Sequence, residues 1–176
     1  MEETTPELLA LQQLLDTSFA RASPHLTSIM TPARRLTAER LVADLPVPAV
    51  LNIATVTANG EPRISAVDGH FLRGHWYFTT ESRSPKARQL DARAAISASF
   101  TPRDGFGVFC HGSAVRLSGD EQEMLREHFI AHYGADPETL GEIAYYRIDA
   151  HWLVAFAMTA EEQAKIDADR EAADPR

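Results

Sequence analysis

The residue pattern points to a small antiparallel β-barrel, closed or partly open, with helices before, within and after it. Three observations carry that reading. Ala49–Thr57, Arg63–Leu72 and His75–Thr80 are runs rich in β-branched and aromatic residues, and their connections are short enough to demand antiparallel neighbours. About six such strands occur, with one short helical stretch inserted after the third. The helices do not alternate with the strands as the crossovers of a parallel sheet require.

Each element has its own local cause. Pro6–Phe19 places Leu8, Leu11, Leu15 and Phe19 at spacings of three and four, which predicts an amphipathic helix. Ser23-Pro24 and Thr31-Pro32 break the chain and predict a loop. A second helix is expected from Thr37 to the residue before Pro46. Asn59-Gly60 predicts a type I′ hairpin between the first two strands, and Arg73-Gly74 turns the chain into the third. Ser84 is a good N-cap and Pro85 fits the first helical position, so a short helix is expected from there to near Ala92. Ala95–Phe100 returns to strand, Thr101–Gly105 turns, and Phe106–Leu117 is a long strand with room to bend at Gly112. Asp120–Tyr133 reads as a helix ended by Gly134, with Asp136-Pro137 capping a further short one. Tyr145–Ile148 and Trp152–Met158 read as the last strands. Thr159 to Glu162 forms a capping-box signature for a polar tail helix. The resulting division is a helical extension over 1–45, the barrel over 46–158 and a tail over 159–176.

Composition narrows the function classes. At 176 residues and 44% apolar, the chain has material for one real core. No apolar run approaches a membrane span, the first ten residues lack the basic start of a secretory signal, and the single cysteine, Cys110, excludes an intrachain disulfide. A cytoplasmic location is the expectation. The net charge of −8 disfavours nucleic acid as a partner. Yet Gly60–Arg103 holds seven basic residues against four acidic ones, a local balance suited to a small anionic ligand as well as to an ordinary solvated surface. Only two of the seventeen basic residues are lysines, so Lys86 marks a place where a compact point charge is wanted, unless the bias towards Arg merely follows codon usage.

The stretch from Arg63 to the helix after Ser84 carries the chemistry. A helix N-terminus offers unpaired N–H groups and partial positive charge to a phosphate. Ser84 adds a hydroxyl, Lys86 a cation in the first turn, and Thr79 and Thr80 further donors at the end of the preceding strand. Arg63, on the neighbouring strand, has a guanidinium able to grip phosphate through two hydrogen bonds. Singly, each residue has an ordinary explanation as a cap or a solvated charge; their combination is what points to one pocket.

These residues also carry a resemblance. The order Tyr77-Phe78-Thr79-Thr80, then Ser84-Pro85-Lys86-Ala87-Arg88-Gln89-Leu90, then Ala94-Ala95-Ile96-Ser97, resembles the flavin-binding core of the pyridoxamine-phosphate-oxidase-like split-barrel proteins, over roughly Leu41–Met158. The resemblance implies a six-stranded antiparallel split barrel, assembled as a homodimer with a cofactor at the interface. It implies that Arg63 reaches the cofactor phosphate or ring edge, that Thr79 and Thr80 line the cofactor, and that Ser84 and Lys86 hold the phosphate, with Ser65, Arg88 and Gln89 completing the set. Phe109–Ala114 and Trp152 are the expected second wall. The cofactor is FMN or, as in one branch of the family, a deazaflavin coenzyme, whose longer anionic tail the cluster Arg73, Arg83, Arg88 and Arg93 would serve. The chemistry expected is hydride transfer with a small-molecule substrate; aromatics such as Trp76, Tyr77 and Trp152 could shape its pocket, although core packing is the commoner role for any one of them. The Trp, Arg-Leu-His-Asp-Arg and final Arg-Leu-x-Pro pattern that clamps pyridoxal phosphate in the family's best-known enzyme is absent, so that oxidase activity is not expected.

Other chemistries have weaker support. His128 and His132 share a helix face, but a zinc site needs a third ligand, so no metal is expected. His70, His75 and His111 lie on strands and keep haem as a remote alternative, since some split-barrel relatives bind it. Cys110 sits in an apolar strand and reads as a buried small hydrophobe. Ser, His and Asp residues form no recognisable triad. A cofactor-binding protein without turnover is the main non-enzyme reading.

Overall fold

A computed structural model describes residues 3–173; the last three residues of the expected tail, 174–176, lie outside the described residues. Six strands form one closed antiparallel barrel: β1 (Ala49–Val56), β2 (Pro62–Leu72), β3 (His75–Glu81), β4 (Ala95–Arg103), β5 (Phe106–Arg116) and β6 (Ile143–Ala157). They run round the barrel as β1-β2-β3-β6-β5-β4, and β4 pairs back onto β1. The helices are α1 (Thr5–Ala20), α2 (Pro24–Ile29), α3 (Ala38–Asp44), α4 (Pro85–Ala92), α5 (Gly119–Tyr133) and α6 (Ala160–Ala173), with a 3₁₀ turn at Pro137–Leu140.

The barrel interior is filled rather than hollow. Leu51, Ile53, Phe78, Val108, Tyr146, Ile148 and Leu153 are buried there with Trp76. At one end α1 packs on β6. Ser18, fully buried on α1, donates to Leu14 O and accepts the Leu153 N–H at 2.9 Å, so a polar group in the core is satisfied on both sides. Gln12 Oε1 takes the Ala38 N–H at 2.8 Å and ties α1 to α3.

Three local expectations change. The stretch expected to be loop after Ser23 contains α2, because Ser23 caps the Leu26 N–H and Pro24 sits at the first helical position. The Asn59-Gly60 hairpin is not type I′. Only Gly60 has positive φ, +81°, and Thr57 N–H bonds Glu61 O while Gly60 N–H bonds Thr57 O, which is a three-residue loop. The two-residue turn with both central residues at positive φ occurs one hairpin later, at Arg73 (51°) and Gly74 (79°). Finally, the two expected last strands are one continuous β6. His111 pairs Trp152 while Gly112 pairs Ala150, so His151 is an extra residue that bulges out without ending the strand.

The remaining elements follow the sequence closely. Ser84 caps α4 by accepting the Ala87 N–H. Thr159 and Glu162 form the reciprocal capping box of α6.

Candidate functional site

The ladder between β2 and β3 is short. His70 pairs with Tyr77, Phe71 with Trp76 and Leu72 with His75, and there it stops. Residues 62–69 of β2 pair only with β1, and the rest of β3 pairs only with β6. The barrel is therefore closed here by three residue pairs only, and beyond them the seam between β2 and β3 is unpaired. β3 leads directly from that seam into α4.

The first turn of a helix leaves N–H groups without helical acceptors. Here Pro85 has none to offer, Ala87 N–H goes to Ser84 Oγ, and Arg88 N–H goes to Ser84 O. The Lys86 N–H is left over, on the same residue as an ammonium that forms no ion pair among the described residues. Thr80 Oγ1 and Ser84 Oγ lie 3.2 Å apart and present a pair of hydroxyls. Gln89 is fixed from behind: its Oε1 accepts from the buried Thr55 hydroxyl at 2.5 Å. This is the donor set of an anion site, and a phosphate monoester fits its chemistry.

The expected residues divide by position. Arg63 and Ser65 pair with Thr55 and Ile53, so they share the face of those residues on the seam side of β2. Arg63 is exposed and ion-paired with Glu61 at 2.7 Å. Thr80, Ser84, Lys86 and Gln89 group around the start of α4, and Arg88 is exposed on it. Thr79 faces the other way, into a cavity under α5, because neighbouring strand residues alternate. Trp152 lies elsewhere. Pairings place Ile64, Ala54, Ser97, His111 and Trp152 in one row across the outside of β2, β1, β4, β5 and β6. Trp152 stacks on His111 at 4.7 Å, and Ser97 Oγ hydrogen-bonds His111 Nδ1 at 2.8 Å.

Two groupings change. Arg73 sits in the hairpin at the opposite end of β3 from α4, 3.9 Å from Glu7, so it is separate from Arg83, Arg88 and Arg93. Trp76 is a barrel-core residue and Tyr77 is buried beneath α5, where its hydroxyl donates to Glu121 and burial pushes it up to about 12. Cys110 is buried, and loss of solvent pushes its thiol up to about 12. Among the described residues no three His, Cys, Asp or Glu side chains form a metal-holding group. The three strand histidines raised for haem all have ring nitrogens engaged: His70 with His128 and Tyr133, His75 with Ile148 O, and His111 with Ser97.

The sequence reading missed the cluster around His70. This side chain is 0% exposed, with Nδ1 3.0 Å from His128 Nε2 and Nε2 2.9 Å from the Tyr133 hydroxyl. The available signal was the i, i+4 spacing of His128 and His132, but only the fold brings β2 beneath that helix face.

The chain matches solved structures across most of its length. A conserved hypothetical protein from Mycobacterium tuberculosis superposes with a TM-score of 0.58 at 18% identity, covering 71% of this chain and 88% of that one. An FAD-binding protein from Mesorhizobium loti gives 0.55 at 16% identity, covering 72% and 97%. An F420 reductase gives 0.51 at 17% identity, covering 60% and 89%. At these identities the likeness is one of fold. A search of the curated proteins returned no match. The family model described as pyridoxamine 5'-phosphate oxidase matches residues 37–162, a span that holds the whole barrel, the open seam and α4. The chain therefore belongs to the pyridoxamine 5'-phosphate oxidase family.

Proposed function

We propose that this protein is an FMN-dependent oxidoreductase that acts as a homodimer. The observation that carries the reading is the start of α4, where the Lys86 N–H and ammonium, the Ser84 and Thr80 hydroxyls and the mouth of the open seam stand together. FMN, when bound, supplies hydride transfer to or from a small substrate. The protein's part is to bind and position it. Ser84 and Lys86 hold the phosphate, Arg63 exchanges its exposed pairing with Glu61 for an anionic oxygen, and the unpaired edge of β2 runs beside the ring.

The outer face supports the dimer. Ile64 is 77% exposed and Val50 64% exposed on the same side of the sheet, beside Ala54 and Phe109. Exposed apolar side chains of this size on one face favour a protein–protein contact there. Trp152, on this outer face and away from its own seam, reaches a cofactor only in a second copy.

A deazaflavin is the second reading. It is favoured by the basic residues near α4, of which Arg88 is free of ion pairs among the described residues. Without Arg73 the cluster that would serve a long anionic tail is smaller, and this supports FMN. The test is fluorescence-quenching titration with each cofactor, for wild type and for Lys86→Ala and Arg63→Ala. Each loss of a charge-assisted hydrogen bond costs about 1.5–3 kcal/mol, roughly ten- to a hundredfold in affinity. Unchanged affinity in both variants refutes the phosphate site. Acceptor-dependent oxidation of the reduced cofactor separates an enzyme from a carrier.

A further inference from the structure

The cavity under α5 has a volume of about 310 Å³ and lies over the place where the β2–β3 ladder breaks. Continued by two residues, that ladder would pair Asp68 with Thr79; instead the two side chains line the cavity. Phe129 and Leu140 give it apolar walls, and Tyr133, Asp136 and Thr139 add polar groups. Among the described residues no Lys, Arg or His lines it.

Its two carboxylates differ in availability. Asp136 is committed, since it pairs with Arg126 and accepts the Glu138 N–H at 3.0 Å. Asp68 has one partner among the described residues, the Tyr133 hydroxyl, at a long 3.4 Å. That contact ends a directional chain. An ionised carboxylate only accepts, so the Tyr133 O–H points to Asp68, and its oxygen accepts from His70 Nε2–H. His70 Nδ1 then accepts from His128 Nε2–H. Burial, then His128 and His132, hold His70 down at about 4, and burial with Asp68 pushes Tyr133 up to about 12, so both are neutral at pH 7. The chain thus delivers no positive charge to Asp68. Behind the wall, Tyr145 is the cross-strand partner of Thr79 and buries its hydroxyl with no hydrogen-bond partner among the described residues.

We propose that this cavity is the substrate pocket, taking a small molecule with an apolar body and a protonated amine that Asp68 receives. An apolar cavity with one available carboxylate and no facing cation selects a cation over an anion of equal size. The Thr79 hydroxyl adds a second contact to the amine. The role as substrate pocket rests on the flavin reading, because only a cofactor in the adjoining seam makes a ligand here a substrate.

The test uses the full chain, 2-phenylethylamine and the similarly sized anion phenylacetate. Binding is read by amide chemical-shift changes at Thr79 and Ala135, and FMN quenching is titrated on the same sample. Saturable amine binding, absent for phenylacetate and weakened at least tenfold in Asp68→Asn, is the expected result. Circular dichroism and FMN affinity check that this exposed substitution leaves the fold intact. Failure of the amine to saturate, equal binding of phenylacetate, or unchanged affinity in Asp68→Asn overturns the proposal, with FMN binding left standing. Asp68-dependent amine binding without FMN binding overturns the flavin reading instead.

Discussion

Replacing Gly112 by alanine tests the geometry that places Trp152. At this residue β5 meets the bulge of β6. A Cβ on Gly112 would collide with Asp149 O and lie 2.9 Å from Ala150 Cα. Both are backbone atoms, so no side chain can swing aside, and relief requires β5 and β6 to separate locally. Overpacking of a tight core site costs about 1–3 kcal/mol, and a backbone clash belongs at the upper end. For a domain of this size each kcal/mol moves the melting midpoint by roughly 2–4 °C, so Gly112→Ala is expected to melt about 6–12 °C below wild type. The stacking of Trp152 on His111 lies next to the bulge and should loosen with it, shifting tryptophan emission to the red. Thermal melts by circular dichroism and fluorescence check both outcomes. A variant melting within 1 °C of wild type, with unchanged emission, would refute the close approach and with it the bulge assignment.

Further expectations concern single groups. Ser84→Ala removes the α4 cap and should cost about 1 kcal/mol in urea unfolding while also weakening FMN binding; Ser84→Asp should restore stability but not cofactor affinity, because it places a like charge beside the phosphate. His70 is held near 4 in the fold against about 6.5 when unfolded, so the unfolded chain binds more protons between those values. Stability is therefore complete above about pH 6.5 and falls as the pH drops towards 4, by up to about 3 kcal/mol, and His70→Gln should flatten that slope in urea titrations. Cys110 should resist an aromatic disulfide reagent in the native protein and react at once in denaturant; rapid native labelling would contradict its burial. Ile64→Asp should shift a dimer towards monomer in analytical ultracentrifugation and leave the melting midpoint of the monomer little changed, since the side chain is exposed.

Elements whose signals are local can be read from the chain directly. Leu11 and Leu15 announce α1, Ser84-Pro85 announces α4, and Thr159 with Glu162 announces the cap of α6, because a helix start or an apolar stripe is written within a few residues. The proposed anion site at α4 was legible for the same reason: Ser84, Lys86 and Thr80 lie within seven consecutive residues. Turn type was less so. Asn-Gly tolerates type I′, but loop length and strand register decided that the I′ geometry falls at Arg73-Gly74 instead. Features that join residues far apart in the chain emerge only once it is folded. The early end of the β2–β3 ladder opens the seam, the bulge at His151 fuses two expected strands into one, and the packing of α5 on β2 brings Asp68, His70, His128 and Tyr133 together. Such contacts are set by how sheets twist and pair, and no spacing within a single segment encodes them.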